Sequence, residues 1–248
     1  MKITGNNQQA RNPAAKKPVG KQEKSGGYMA IRRQILNKNS SFVVQEAYKS
    51  LRTSVRFSLR DNGCKRICMT SAMASEGKSI TMLNLAISVA MDGQKVLLID
   101  ADMRRPSQAR MLVEKATPGL SNVLAGMVSA EEAIRPEIYP NLDVLFSGDV
   151  PPNPSELLGS DKMRELIEEM SQKYDYVLVD TPPVILVSDA AIVANLLDGV
   201  LLLVRQGKSK KDELKRAIAN LELAGITPMG IILNGVELKE GKDYSYYG

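Results

Sequence analysis

Three segments of the chain, KVLLID (95–100), YVLVD (176–180) and GVLLLV (199–204), are short and almost unbroken runs of apolar residues. A strand with one wet face alternates apolar and polar side chains, whereas a strand covered on both faces has no reason to alternate. Coverage on both faces is what parallel strands with helical crossovers require, so these runs predict buried parallel strands. MGIIL (229–233) reads as a further buried strand, and KRICMT (65–70) and 142–146 as shorter ones. Between them lie stretches of helical period: 79–91, 161–173 with Met163, Leu166, Ile167 and Met170 on one face, and the charge-rich 209–223. An amphipathic helix over 42–59, with Val43, Ala47, Leu51 and Val55 as its apolar side, precedes the first strand. No internal repeat is visible. The expected fold is α/β, a mostly parallel central sheet flanked by helices on both faces.

The length of 248 residues suits one such domain with flexible ends, set here at 1–40, 41–238 and 239–248. With aromatic residues at 4% and no Trp, the core is expected to be aliphatic and rich in Met. Residues 1–40 carry nine basic residues against one acid, Glu23, a net of +8, which leaves −3 on the rest. The folded part is therefore not basic, and no nucleic-acid partner is expected. The arm itself reads as a solvated tail, or as a segment weakly attracted to an anionic membrane face. No apolar run approaches the roughly 20 residues that span a bilayer. No signal-peptide pattern opens the chain, so a cytoplasmic location is expected. The absence of His excludes His-based zinc sites and triads. Cys64 and Cys68 lack a CxxC spacing and read as a strand-edge residue and a small buried hydrophobe.

After the first predicted strand comes Ala72-Met73-Ala74-Ser75-Glu76-Gly77-Lys78-Ser79, and then a helix. The phosphate-loop pattern is G-x-x-x-x-G-K-[ST], and here Ala72 stands at the first Gly. Such a loop aims backbone N–H groups at an anion, aided by the positive end of the helix it opens. Gly77 allows close approach, Lys78 supplies charge to the β/γ-phosphates, and the Ser79 hydroxyl suits Mg²⁺. A bare GKS is common, and the company it keeps adds specificity. The strand 95–100 ends in Asp100 with Asp102 two residues on, and the strand 176–180 ends in Asp180. Ligands of parallel α/β sheets sit beyond the carboxyl ends of strands, so all three acids are expected at the edge that carries the loop.

Together these motifs resemble the bacterial tyrosine kinases (BY-kinases) of capsule and exopolysaccharide assembly, of the separate cytoplasmic type, over residues 40 to 248. Residues 75–79 resemble that family's Walker A ending and 97–104 (LLIDADMR) its second, A-prime motif. VLVD with Thr181, Pro182 and Pro183 resembles its Walker B. GLSNVLAG (119–126) and PPNPSELL (151–158) resemble stretches typical of it. The chain closes on Tyr244, Tyr246 and Tyr247, three of its eight tyrosines, which resemble the family's autophosphorylated cluster. Two departures stand out. Ala74 and Ser75 replace the usual Pro-Gly, and the oligomerisation pattern E-x-x-R-x-x-R reads Glu46, Lys49, Arg52, without the bidentate fork of the middle Arg.

The resemblance implies a P-loop fold of the MinD/ParA type and transfer of the γ-phosphoryl of Mg-ATP to tyrosine. It implies that Ala72 to Ser79, with Ile80, cradle the nucleotide. Ser79, Asp102 and Asp180 would hold Mg²⁺, Asp100 would accept the tyrosine proton, and Arg104 would contact phosphate or the incoming chain. Asn234 is either a turn residue or a group facing the adenine base. The implied partners are a transmembrane activator (a polysaccharide co-polymerase with a cytoplasmic tail that recruits the chain to the inner membrane face), further copies in a ring, and a tyrosine phosphatase. Each tail phosphate adds about −1.5 to −2 charges, so crowded phosphorylated tails would loosen that ring. Two other readings stay open. MinD/ParA-like ATPases carry a signature Lys where this chain has Met73. A nucleotide-dependent scaffold would explain Ala72 and Ser75 as a crippled loop.

Overall fold

The computed structural model describes residues 34–59 and 63–236. The first 33 residues and the segment bearing Tyr244, Tyr246 and Tyr247 lie outside it. A helix, α1 (Phe42–Ser58), is capped by the Ser41 hydroxyl, which accepts from the Val44 N–H at 3.4 Å. Alternation then begins with β1 (Lys65–Ser71), α2 (Lys78–Ala90) and β2 (Val96–Asp100). Three short helices follow, α3 (Gln108–Leu112), α4 (Leu120–Leu124) and α5 (Ala130–Ala133). Next come β3 (Arg135–Tyr139), β4 (Leu142–Leu145), α6 (Pro154–Leu158), α7 (Asp161–Ser171) and β5 (Tyr176–Asp180). The described chain closes with α8 (Asp189–Ala194), β6 (Gly199–Arg205), α9 (Lys211–Leu223) and β7 (Gly230–Asn234).

The strands form one seven-stranded sheet in the order β3-β4-β2-β5-β1-β6-β7, in which only the β3–β4 pair is antiparallel. Every residue of β2 and β5 is buried, as their unbroken apolar runs require. Alternate residues serve opposite layers. Leu97, Ile99, Val177 and Val179 pack with α7, α8 and α9 through Met163, Ile167, Val193 and Leu221. Val96, Leu98, Tyr176 and Leu178 pack with α2 and with Val55 of α1. Because α2 lies between the sheet and α1, it is buried on nearly all sides. Cys68 sits in the core, where burial pushes its thiol up to about 12, and half-buried Cys64 is pushed up to about 11 for the same reason. Neither is a reactive thiolate.

Three expectations need correction. The final strand is not buried. Among the described residues β7 is the sheet's edge, pairing with β6 alone, and Ile231 and Leu233 are 53% and 57% exposed. Ala47 faces solvent, so the buried side of α1 narrows to Val55 with half-buried Leu51 and Val43. β3 escapes the sequence reading because RPEIY is polar and carries Pro136 and a left-handed Glu137 (φ 51°). Such residues are tolerated at an irregular edge, not inside a sheet. Among the described residues, no helix is long and apolar enough to cross a membrane.

Candidate active site

β1 delivers the chain to the carboxyl edge of the sheet, and residues 72–77 bridge it to α2. Ala72 is fully buried and does not take a positive φ, so nothing at that position calls for glycine. Gly77 does. Its φ is 96°, and a Cβ there would lie 2.2 Å from Nδ2 of Asn234. Ser75 also adopts the left-handed region, with φ 63°.

Side chains hold the loop from within and from the neighbouring loop. Glu76 is 1% exposed and turns inward. Its Oε2 accepts from the Met73 N–H at 3.0 Å, and its Oε1 accepts from the Ser209 hydroxyl. Lys208 Nζ donates to the Ser75 carbonyl at 2.8 Å, and Asn234 Nδ2 donates to the Glu76 carbonyl at 2.9 Å. Asn234 is therefore a strut of the loop.

The parallel register sets Asp100 of β2 beside Asp180 of β5. Asp180 is fully buried; its Oδ1 accepts from Lys78 Nζ at 2.6 Å and its Oδ2 from Gln108 Nε2 at 3.0 Å. Asp100 is also fully buried. Its Oδ2 accepts from the N–H groups of Ser107 and Gln108, at 3.2 and 3.0 Å, and its Oδ1 meets the Asp102 N–H at 3.3 Å. Burial first, and then the Asp180 charge, push the Asp100 carboxyl up to about 7. Asp102 is raised as well, chiefly by burial, while one of its oxygens accepts from the Arg105 N–H at 3.0 Å.

A cavity of about 750 Å³ opens over this edge, bordered by residues 74–80, Asp102, Arg104, Arg105 and Arg110. Asp100 does not border it. A larger cavity of about 1130 Å³ lies between α1 and the β6–β7 edge, lined by Tyr48, Leu51, Met229 and Ile232, and shares Gly77, Ile80 and Arg205 with the first. The charged groups surround the smaller one. The Ser79 hydroxyl and the Asp102 carboxylate border it and, with the Asp180 carboxylate buried behind Lys78, are hard oxygen donors that fit Mg²⁺. Among the described residues no three acidic or cysteine side chains form a metal cage by themselves. Magnesium held partly by substrate phosphates needs none.

The structure thus brings Lys78, Ser79, Asp100, Asp102 and Asp180 to one edge, with Asp100 and Asp180 both beneath the surface. Two expected site groups lie otherwise. Arg104 borders the cavity but is already engaged, its guanidinium donating to both oxygens of buried Asp189, at 2.8 and 3.1 Å, and to Ser155 Oγ at 2.9 Å. On α1, Lys49 pairs with Glu46 at 2.6 Å. Arg52 donates to the Ser88 carbonyl at 2.7 Å and meets Asp92 at 3.1 Å. Arg52 therefore closes the end of α2 within its own chain, where Glu46 and Lys49 stay exposed. Gln108, Lys208, Ser209 and Asp189 went unread in the sequence because their partners lie far away along the chain.

A family model described as an AAA domain matches residues 64–210. The tyrosine-protein kinase YwqD of Bacillus subtilis (strain 168) is 42% identical over 203 residues, 82% of this chain and 86% of its own length. The kinase domain of the Escherichia coli tyrosine kinase ETK superposes with a TM-score of 0.76 at 39% identity, covering 82% of this chain and 80% of that one. A chain of the MinC:MinD cell division complex of Aquifex aeolicus follows at 0.59 and 27%, covering 70% of each.

Proposed function

The chain belongs to the bacterial tyrosine-protein kinases, built on an AAA-type P-loop domain, and from that premise we propose that it transfers the γ-phosphoryl group of Mg-ATP to tyrosine hydroxyls, those of its own C-terminal cluster included. One observation carries the reading: Lys78 and Asp180 pair at 2.6 Å at the sheet edge where Ser79 and Asp102 meet the smaller cavity.

The N–H groups of residues 74–79 and the start of α2 bind the phosphates. Lys78 exchanges Asp180 for phosphate oxygens and offsets charge that develops on transfer. Ser79, Asp180 and Asp102 would hold magnesium, which would supply positive charge against that of the phosphates. Asp100 takes the tyrosine proton. A carboxyl pushed up to about 7 has the basicity for that task near neutral pH. Its Oδ1, held among the described residues by just the 3.3 Å contact from Asp102 N–H, is the oxygen that can be freed, while Oδ2 stays anchored by Ser107 and Gln108. Nucleotide binding would thus have to part that contact before Asp100 can act.

The phosphoacceptors would be Tyr244, Tyr246 and Tyr247, reached from a neighbouring copy. The setting would be capsular or exopolysaccharide export, at the inner membrane face beside a transmembrane activator with a cytoplasmic tail, with a tyrosine phosphatase as the opposing enzyme. The MinD/ParA reading is weaker, since Met73 replaces the signature Lys and packs against the core.

Incubation with labelled ATP and Mg²⁺, with and without Lys78→Ala and with candidate activator tails added, separates the readings. Label on tyrosine that Lys78→Ala abolishes supports the kinase. Free phosphate alone means a partitioning-type ATPase, and neither product means a scaffold.

A further inference from the structure

Gln108 opens α3 and is fully buried, yet none of the sequence motifs includes it. It touches all three parts of the site. Its side-chain Nε2 donates to Asp180 Oδ2 at 3.0 Å and to the Ser79 carbonyl at 3.1 Å, and its backbone N–H donates to Asp100 Oδ2 at 3.0 Å. The side-chain Oε1 is buried and meets no donor among the described residues.

We propose that Gln108 is a positioning residue for the magnesium ligands, fixing the Asp180 carboxylate and the Ser79 turn in one geometry through a single amide group. The inference rests on the reading of Ser79 and Asp180 as those ligands.

The chemistry explains the residue type. Asp180 is held on one oxygen by Lys78 and on the other by Gln108. When Lys78 turns to phosphate, the amide is the contact that still orients Asp180. A cation there would compete for metal or phosphate, and a fourth carboxylate would repel Asp100, Asp102 and Asp180. A neutral group with two N–H donors does neither, and it spans Asp180 and the Ser79 carbonyl at once. Groups that orient metal ligands in this way alter metal affinity by roughly ten- to hundredfold when removed.

The test uses the full chain and a fluorescent ADP analogue, titrated once in EDTA and once with rising Mg²⁺. Gln108→Met keeps the volume and deletes the donors. It is expected to bind the analogue in EDTA within about twofold of wild type, while the Mg²⁺ concentration that half-maximally tightens binding rises about tenfold or more. Gln108→Asn, which keeps the amide one methylene short, is expected to shift the same half-point and serves if Gln108→Met does not fold. An unchanged Mg²⁺ half-point in the folded variants overturns the inference. So does an equal loss of binding in EDTA and in Mg²⁺, which marks a merely structural residue. If the wild type itself shows no Mg²⁺-dependent tightening, the functional reading of the site fails instead.

Discussion

Ser75 sits at φ 63°, where the Cβ of a residue other than glycine crowds the following carbonyl at a cost of about 1 kcal/mol. The resemblance places glycine there, and the structure shows why it would fit. Ser75→Gly is expected to raise stability by about 0.5–1 kcal/mol, since part of the relief is offset by a floppier unfolded chain. Denaturant unfolding measures this, and a loss of stability would show that Ser75 makes a contact worth more than its strain. Asp100 offers a test by pH. Folding raises its carboxyl from the ordinary value near 4 to about 7, so the folded state binds the proton more tightly than the unfolded chain does. That stabilisation is complete below about pH 4 and lost as pH rises through about 7, by up to about 4 kcal/mol. In nucleotide-free protein the wild type is therefore expected to lose stability between about pH 4 and 7 relative to Asp100→Asn. Parallel curves for the two proteins would contradict the assignment.

Elements explain what could be read ahead of the coordinates. β2 and β5 announce themselves because both faces of each are covered, which leaves apolar runs that each close on an acid, Asp100 and Asp180. The strand read at 65–70 and the helix read at 79–91 fall within a residue of the observed ends facing the loop, Ser71 of β1 and Lys78 of α2. β3 and β7 were not legible as they stand, because an edge strand is set by what pairs with it and not by its own pattern. The struts of the phosphate loop were hidden for a related reason. Glu76 and Ser209 are 133 residues apart, and nothing local in LVRQGKSKK signals that its serine will meet a buried carboxylate. Glu76→Ala should leave the half-buried Met73 N–H without its side-chain acceptor, costing about 1 kcal/mol and weakening nucleotide binding. A melting curve and an ADP titration check both, and an unchanged titration would show that the loop keeps its shape unaided. Arg52 tests a contact first read as intermolecular. Because it closes the end of α2, Arg52→Ala is expected to cost about 1 kcal/mol at every protein concentration. A loss that appears only at concentrations where copies associate would restore the interface reading.

At the scale of the molecule, one sheet edge gathers what the sequence scatters. Lys78 follows β1, Asp100 ends β2 with Asp102 just beyond it, Asp180 ends β5, and the struts come from the loop after β6 and the end of β7. The fold class and this convergence were legible because doubly covered strands fix both the sheet and the end at which their acids emerge. The sealing of Asp100, the capture of Arg104 by Asp189 and the bridge made by Gln108 were not, since each depends on how α3 and α8 settle against that edge. If neighbouring copies phosphorylate one another's tails, the added charge should shrink the assembly after ATP treatment, and Tyr244, Tyr246 and Tyr247 changed together to Phe should prevent it. Light scattering before and after ATP reads this, and an unchanged size in the wild type would count against loosening by charge. The most direct measurement of the central claim is phosphotyrosine formed from Mg-ATP by the wild type and by Asp180→Asn, with activator tails supplied to both. The account predicts tyrosine labelling in the wild type and a loss of about a hundredfold or more in a variant that still folds. Equal labelling in the two proteins, or label on serine or threonine alone, would contradict it.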